Sequence, residues 1–308
     1  DVWSNPDLFV TGVSAGAPPD AFFTKGQNWG FPPLNPRVLR GQRYEYLRRV
    51  LRTQLRYAGM LRIDHVMSLH RLFFVPAGYE ATDGVYVSYP QDEMYAVLTI
   101  ESQRHESTIV GEDLGTVPSE VRKSMKRHGV KRMFVVQFEA GADHPPIRTP
   151  PADAVASLNT HDMPPFAAFW NALDVDMRLE MGLIVEDDVE KQRAHRDDVA
   201  RALSAHLRHH GVLDDGALDR LFSRKADTPT ALGGLLELLA RSPSYLTLVN
   251  LEDLWLEEEP QNVPGTSQEK PNWRRRLRYT LNELRNNPEL NDMLRRVHDG
   301  RRAEKEHQ

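Results

Sequence analysis

Met60-Leu61-Arg62-Ile63-Asp64-His65-Val66 is an apolar-rich run broken by one arginine and one aspartate, with Gly59 before it. Its length and branched residues predict a β-strand with an acid near its C-terminal end. Upstream, Tyr44, Leu47, Leu51 and Leu55 recur at helical spacing, so the strand follows a helix. Four further runs have the same character: Thr108 to Gly111, Met133 to Phe138, Val155 to Leu158, and Leu246 to Val249. Helical segments separate them, one of them opened by Pro118 and Glu120 and closed by Gly129. Such βα repetition predicts an α/β fold, either a doubly wound sheet or a (β/α) barrel. Five strands are too few for the eight of a closed barrel.

Two stretches depart from the repetition. Residues 1–37 are rich in Pro, Gly, Asn and aromatics, which suits a long ordered surface loop better than a regular element. Residues 174–227 are charged and helical, with Glu186-Asp187-Asp188 and Arg193-Ala194-His195-Arg196-Asp197-Asp198, and read as a solvated helical insertion between strands. Over 308 residues, a net charge of −5 offers no basic field for a phosphate backbone or an anionic membrane, so neither nucleic acid nor membrane is an expected partner. The absence of cysteine excludes disulfides, zinc-thiolate sites and thiol nucleophiles. The opening Asp1-Val2-Trp3-Ser4-Asn5-Pro6 has no initiator Met, cationic head or apolar secretory segment. We therefore expect a cytoplasmic protein, and a fragment or processed chain whose natural start lies upstream.

Three acids stand just beyond three of the strand candidates: Asp64, Glu112 in Gly111-Glu112-Asp113-Leu114-Gly115, and Asp162 in Asn159-Thr160-His161-Asp162. In a βα barrel the C-terminal strand ends converge on one face, so these carboxylates are expected to share a pocket. Arg62, two residues before Asp64, points to the same side of an extended strand and would orient that carboxylate as a nucleophile. Glu112 must hold a proton near neutrality to act as a general acid, and repulsion from Asp64 and Asp162 is the expected cause. A nucleophile and an acid/base so paired describe a retaining glycosidase, with Asp162 binding sugar hydroxyls as the ring approaches the transition state. Trp29, Phe22 and Tyr86 suit the C–H faces of pyranose rings, and His161 could reach hydroxyls at the reacting sugar. Gly26 and Gly30 flank Gln27 and Trp29, where a tight turn keeps the ligand unobstructed.

The stretch Gly16-Ala17-Pro18-Pro19-Asp20, with Phe22, Gly26-Gln27, Trp29-Gly30 and Pro32, resembles the active-site loop of the amylomaltases, the 4-α-glucanotransferases of glycoside hydrolase family 77. Arg62-Ile63-Asp64-His65 resembles the family's nucleophile strand, and Gly111 to Gly115 its acid/base strand. Thr160-His161-Asp162 matches the motif of its transition-state-stabilising Asp, and Asn262-Val263-Pro264-Gly265-Thr266 with Asn272-Trp273 resembles its last active-site loop. The resemblance implies an incomplete (β/α)8 TIM barrel, about strands 4 to 8, because the nucleophile strand resembles the family's fourth. It implies Asp64, Glu112 and Asp162 as catalytic residues. It also implies Arg62, His161, Asp20, Phe22, Gln27, Trp29, Tyr86, Asn262, Gly265 and Trp273 as substrate-binding residues. The implied partners are maltooligosaccharides and α-1,4-glucans, with glucose as an acceptor and no cofactor. Met163-Pro164-Pro165 replaces the polar or small residues usual after the stabilising Asp.

Other chemistries remain open. The acids and histidines could bind a metal, although Arg62 beside Asp64 would oppose a cation and no His-x-His stands near the acids. A glucan-binding protein without turnover and an α-glucan hydrolase also fit these residues.

Overall fold

A computed structural model describes residues 1–19, 25–216, 227–266 and 270–306. The chain divides into two compact units, Asp1–Arg132 and Met133–Gln308.

In the first unit, strands β1 (Val13–Ala17) and β2 (Gln27–Asn28) are followed by helices α1 (Pro36–Gly41) and α2 (Glu45–Leu55) and strand β3 (Met60–Ile63). Strands β4 (Arg71–Pro76) and β5 (Val85–Ser88), helix α3 (Gln91–Arg104), strand β6 (Thr108–Gly111) and helix α4 (Ser119–Arg127) complete it. β3 and β6 pair in parallel, with Met60 opposite Thr108 and Ile63 opposite Gly111. The other four strands form a sheet in the order β2-β1-β4-β5. β1 runs antiparallel to β2 and β4, and β4 to β5.

The helical spacing read from Leu47, Leu51 and Leu55 is realised in α2, which buries Leu51 and Leu55. α2 is also tied to α3 by charge: Arg52 donates two hydrogen bonds to Glu101, at 2.8 and 2.9 Å, and Glu101 is 1% exposed. Arg104 and Arg48 lie 3.2 and 3.5 Å from the same carboxylate. α4 ends where the sequence indicated, with the Val130 N–H returning to Met125 O at 2.9 Å and the Gly129 N–H to Lys126 O at 3.3 Å.

In the second unit, β7 (Arg132–Val135, which starts at the boundary) and β9 (Leu246–Thr247) flank β8 (Ala154–Ser157). β8 and β9 are parallel, and all four residues of β8 are buried, as a strand covered on both faces requires. The helices are α5 (Val136–Glu139), α6 (Phe166–Trp170), α7 (Leu173–Glu180), α8 (Glu186–His209), α9 (Thr228–Ala240), α10 (Leu251–Leu254), α11 (Leu281–Asn286) and α12 (Pro288–Glu306). Their core gathers Phe134, Leu158, Trp170, Leu203, Leu232 and Leu235.

The five predicted strands are all present, three of them shorter. The Met60–Val66 run leaves the strand at Ile63 and enters a short 3-10 helix at Val66–Leu69, Met133–Phe138 turns into α5, and the last strand stops at Thr247. Two expectations are corrected. Residues 1–37 are not loop throughout, because β1 and β2 lie within them and Ala15 is fully buried. Residues 174–227, where described, are helical but not merely solvated. α8 buries Val199, Ala200, Leu203 and Leu207, and Arg196 forms a two-pronged pair with buried Asp174 at 2.9 and 3.1 Å.

Candidate active site

The parallel register of β3 and β6 releases Asp64 and Glu112 from neighbouring strands at the same end, one residue past the pair Ile63 and Gly111. A Cβ on Gly111 would lie 2.7 Å from Val66 Cγ2 and 2.9 Å from Met125 Cε, so only glycine lets β6 close against that packing. The Glu112 N–H donates to Ile63 O at 2.8 Å, and the Val66 N–H to Glu112 O at 3.1 Å, which extends the pairing past both acids.

Asp64 is exposed and pairs with Arg62 at 2.7 Å, the same-side placement expected from the strand. Glu112 is half-buried and held by backbone donors: the His65 N–H reaches Oε2 at 2.9 Å and the Leu114 N–H reaches Oε1 at 2.7 Å. Its pKa is raised, first by burial, which disfavours the anion. The two N–H donors and Arg62 oppose that rise, and Asp64 adds to it. The expected leading cause, repulsion between carboxylates, is thus secondary, because loss of water around Glu112 outweighs it.

His65 joins the two acids to the aromatic segment. It adopts φ 44°, a left-handed conformation unusual for a side-chain-bearing residue and frequent where a fold stores strain at working sites. Its ring meets Trp29 edge-on at 5.1 Å, and burial lowers its pKa, favouring the neutral imidazole. Trp29 Nε1 donates to Gln27 Oε1 at 2.7 Å, and its ring stacks on Phe31. Gln27, Trp29, His65 and Glu112 are therefore linked by direct contacts, and the Arg62–Asp64 pair directly precedes His65 in the chain.

Tyr86 is not in that group. Asn28, Gly16, Phe73 and Tyr86 stand opposite one another across the four-stranded sheet, whereas Trp29 bonds to Ala15, which faces Phe74. Successive residues alternate faces, so Trp29 and Tyr86 lie on opposite faces of the sheet. Tyr86 contacts Phe73 edge-on at 5.1 Å, under the Arg71 guanidinium at 4.1 Å. Asp20 and Phe22 lie outside the described residues.

In the second unit, Asp162 accepts a hydrogen bond from Asn262 Nδ2 at 2.6 Å and lies 3.2 Å from His161 Nε2. The His161 ring is 5.5 Å from Trp273. Gly265, at φ 81°, is the third residue of a turn closed by the Thr266 N–H on Val263 O at 3.2 Å, with Pro264 before it. Asn272 ties that turn to the Trp273 segment by accepting from Val263 N at 3.0 Å and donating to Thr266 Oγ1 at 3.0 Å. Asp162, His161, Asn262 and Trp273 are thus assembled from segments about a hundred residues apart.

Besides Glu101 and Asp174, two more buried acids were not legible as such in the sequence. Asp113, 2% exposed, accepts from Arg132 Nε at 2.8 Å and Arg122 Nε at 3.1 Å. Asp253, also 2% exposed, accepts from the Phe166 N–H at 2.7 Å and from Asn159 Nδ2 at 3.1 Å. Each directly follows another acid, Glu112 or Glu252, just beyond a strand, and that doubling was the available signal. Among the described residues, no group of three or more His, Asp or Glu side chains is arranged to hold a metal ion, and no helix is long and apolar enough to cross a membrane.

A family model described as glycoside hydrolase 77, 4-alpha-glucanotransferase, matches residues 1–282. The chain is 38% identical over 305 residues to a 4-alpha-glucanotransferase of Haemophilus influenzae, covering 98% of this chain and 43% of that protein. It is 39% identical over 283 residues to one of Mycobacterium bovis, covering 89% of this chain and 38% of that protein. Among solved structures, the amylomaltase of Corynebacterium glutamicum superposes with a TM-score of 0.83 at 27% identity, over 97% of this chain and 44% of that one. The chain spans less than half the length of these relatives.

Proposed function

The chain belongs to the 4-alpha-glucanotransferase family, glycoside hydrolase family 77, and from that premise we propose that it carries the acid machinery of an enzyme moving α-1,4-glucan segments from a donor to an acceptor glucan or glucose. The observation that carries the reading is the emergence of Asp64 and Glu112 from neighbouring parallel strands at one end, in contrasting environments. Asp64, exposed and oriented by Arg62, attacks the anomeric carbon and forms the glycosyl-enzyme. Glu112, whose burial favours the protonated form, gives its proton to the leaving glycosidic oxygen. Each of its oxygens accepts one N–H, which leaves a second lone pair to bear that proton. Deprotonated, Glu112 then draws a proton from the acceptor hydroxyl as it displaces Asp64.

Asp162 is assigned the transition-state-stabilising role on its motif and on its positioning by Asn262 and His161. Gln27, Trp29, Trp273 and the Gly265 turn are proposed to bind sugar, as are Asp20, Phe22 and Tyr86 on their sequence alone. On the same reading β3, β6, β7, β8 and β9 correspond to strands 4 to 8 of a (β/α)8 barrel in a cytoplasmic enzyme. Residues 1–37, with β1 and β2 among them, then form its active-site region, and the described helices within 174–227 an insertion between strands. Incubation with a fluorinated glycosyl donor should label Asp64 covalently, as peptide mass spectrometry would record. Maltotriose should yield a ladder of longer maltooligosaccharides with little new reducing end. A steady rise in reducing ends without longer products would make the enzyme a hydrolase.

A further inference from the structure

Residues 159–166 carry Thr160, His161 and Asp162 between the end of β8 and the start of α6. Both ends of this segment are tied to one buried carboxylate on α10. Asp253 Oδ1 accepts from the Phe166 N–H at 2.7 Å, and both of its oxygens lie 3.1 Å from Asn159 Nδ2. Asn159 Oδ1 accepts in turn from Asn250 Nδ2, so the residue just before α10 reinforces the tie. Between the ends, Gln137 Nε2 donates to Pro164 O at 3.0 Å, and the Met163 N–H closes a turn on Thr160 O at 3.2 Å.

Asn159 Nδ2 faces both carboxylate oxygens and Oδ1 also takes the Phe166 N–H, so both groups facing Asp253 are donors, and an amide in its place would turn an NH2 toward one of them. Keeping it there is costly, since burial pushes the Asp253 pKa up to about 6. A buried carboxylate kept at such a cost against both ends of the loop that bears Asp162 needs a reason. We propose that Asp253 is a positioning residue: it fixes both ends of the 159–166 loop and thereby holds Asp162 in its working geometry. The inference rests on the role proposed for Asp162.

The test is Asp253→Asn in the intact enzyme. The amide retains one acceptor for the Phe166 N–H but sets its own NH2 against Asn159. We expect kcat to fall about 10- to 100-fold with KM within about twofold, as for a displacement of roughly 1 Å at a reacting centre. Glucan and glycosyl fluoride donors should lose the same factor, because a transition-state stabiliser serves both. In an Asp162→Asn background the same substitution should change the residual kcat by less than about twofold, since coupled residues are not additive. Wild-type kcat with only a lowered melting temperature would reduce Asp253 to a structural group and overturn the proposal, as would equal losses in both backgrounds. If Asp253→Asn does not fold, Asn159→Ala releases one end alone and should show the same kcat-only loss at smaller size; unchanged kcat there overturns the proposal. Full activity in Asp162→Asn itself would strike the assigned role of Asp162. The clamp is then judged by hydrogen exchange at the Phe166 amide, which must quicken in Asp253→Asn.

Discussion

Glu112 and Asp162 both stand beyond strand ends, yet they are held by different means. Among the described residues Glu112 accepts only backbone N–H groups, from His65 and Leu114, so the pairing of β3 with β6 fixes it once the strands form. Asp162 is held by side chains, His161 beside it and Asn262 from a segment a hundred residues away. The proposed acid/base is set by backbone groups, the parts of the fold least open to substitution, whereas the acid assigned to stabilise charge depends on two separate loops. The contrast extends to solvent: burial governs Glu112, while Asp162 is exposed.

The largest effect should come from the residue outside that contrast. Asp64→Asn removes the proposed nucleophile and should lower turnover by several orders of magnitude while leaving glucan affinity, measured by calorimetry, within about twofold. A variant with near-normal turnover would remove the covalent mechanism.

Glu112→Gln should cost about 10²- to 10⁴-fold with glucan donors. In the first half-reaction it should spare glycosyl fluorides, whose leaving group needs no proton. Because burial raises the pKa of Glu112, the wild-type rate should decline as pH rises through the folded-state value, and the variant should lack that decline. The sign for stability is the same. The folded state binds this proton more tightly than the unfolded chain. The resulting stabilisation is complete below the unfolded pKa and lost as pH rises through the folded one. Equal losses with fluoride and glucan donors would make Glu112 something other than the acid.

The contrast itself is sharpened by the two neighbours. Asn262→Ala removes a hydrogen bond to a charged group and should cost about 1.5–3 kcal/mol, roughly a 10- to 100-fold fall in kcat/KM. Leu114→Ala keeps the N–H that Glu112 uses and should change kcat/KM less than about threefold. If Leu114→Ala proves the more damaging, the division between backbone-held and side-chain-held acids is wrong.

How much of this could be read in advance follows the same division. The strand ends bearing Asp64 and Glu112 were legible because β-branched runs and strand alternation are local properties, and Arg62 two residues before Asp64 gave the ion pair directly. The β4–β5 hairpin was missed although Leu72-Phe73-Phe74-Val75, ahead of Pro76 and Gly78, is an apolar run bounded by turn residues. The hairpin is an antiparallel element inserted within the βα alternation, and that alternation masks it. The Asp253 network was out of reach for another reason: Asn159 and Asp253 meet across ninety-four residues, and no periodicity encodes that contact. The cause of the raised Glu112 pKa was misjudged because charges can be counted in a sequence while loss of water around a side chain cannot.

The smallest expected difference separates two aromatics that look equivalent in sequence. Trp29 packs edge-on to His65 and is linked through it to Glu112, whereas Tyr86 lies on the other face of the sheet against Phe73 and Arg71. Trp29→Ala should therefore lower kcat/KM by about tenfold, because loss of an aromatic contact worth roughly 0.5–1.5 kcal/mol also loosens His65, whose backbone N–H holds Glu112. Tyr86→Ala should leave kcat within about twofold, and should lower stability by about 0.5–1 kcal/mol through loss of the exposed guanidinium–ring contact. Any sugar contact that Tyr86 makes is then read in KM alone, since among the described residues its ring has no path of contacts to Glu112 like that of Trp29. Steady-state kinetics with a series of maltooligosaccharides, run beside thermal melts of each variant, separates the two. A Tyr86→Ala enzyme whose kcat falls as far as that of Trp29→Ala would place both rings in one functional group and show that the opposite faces of this sheet serve a single bound glucan.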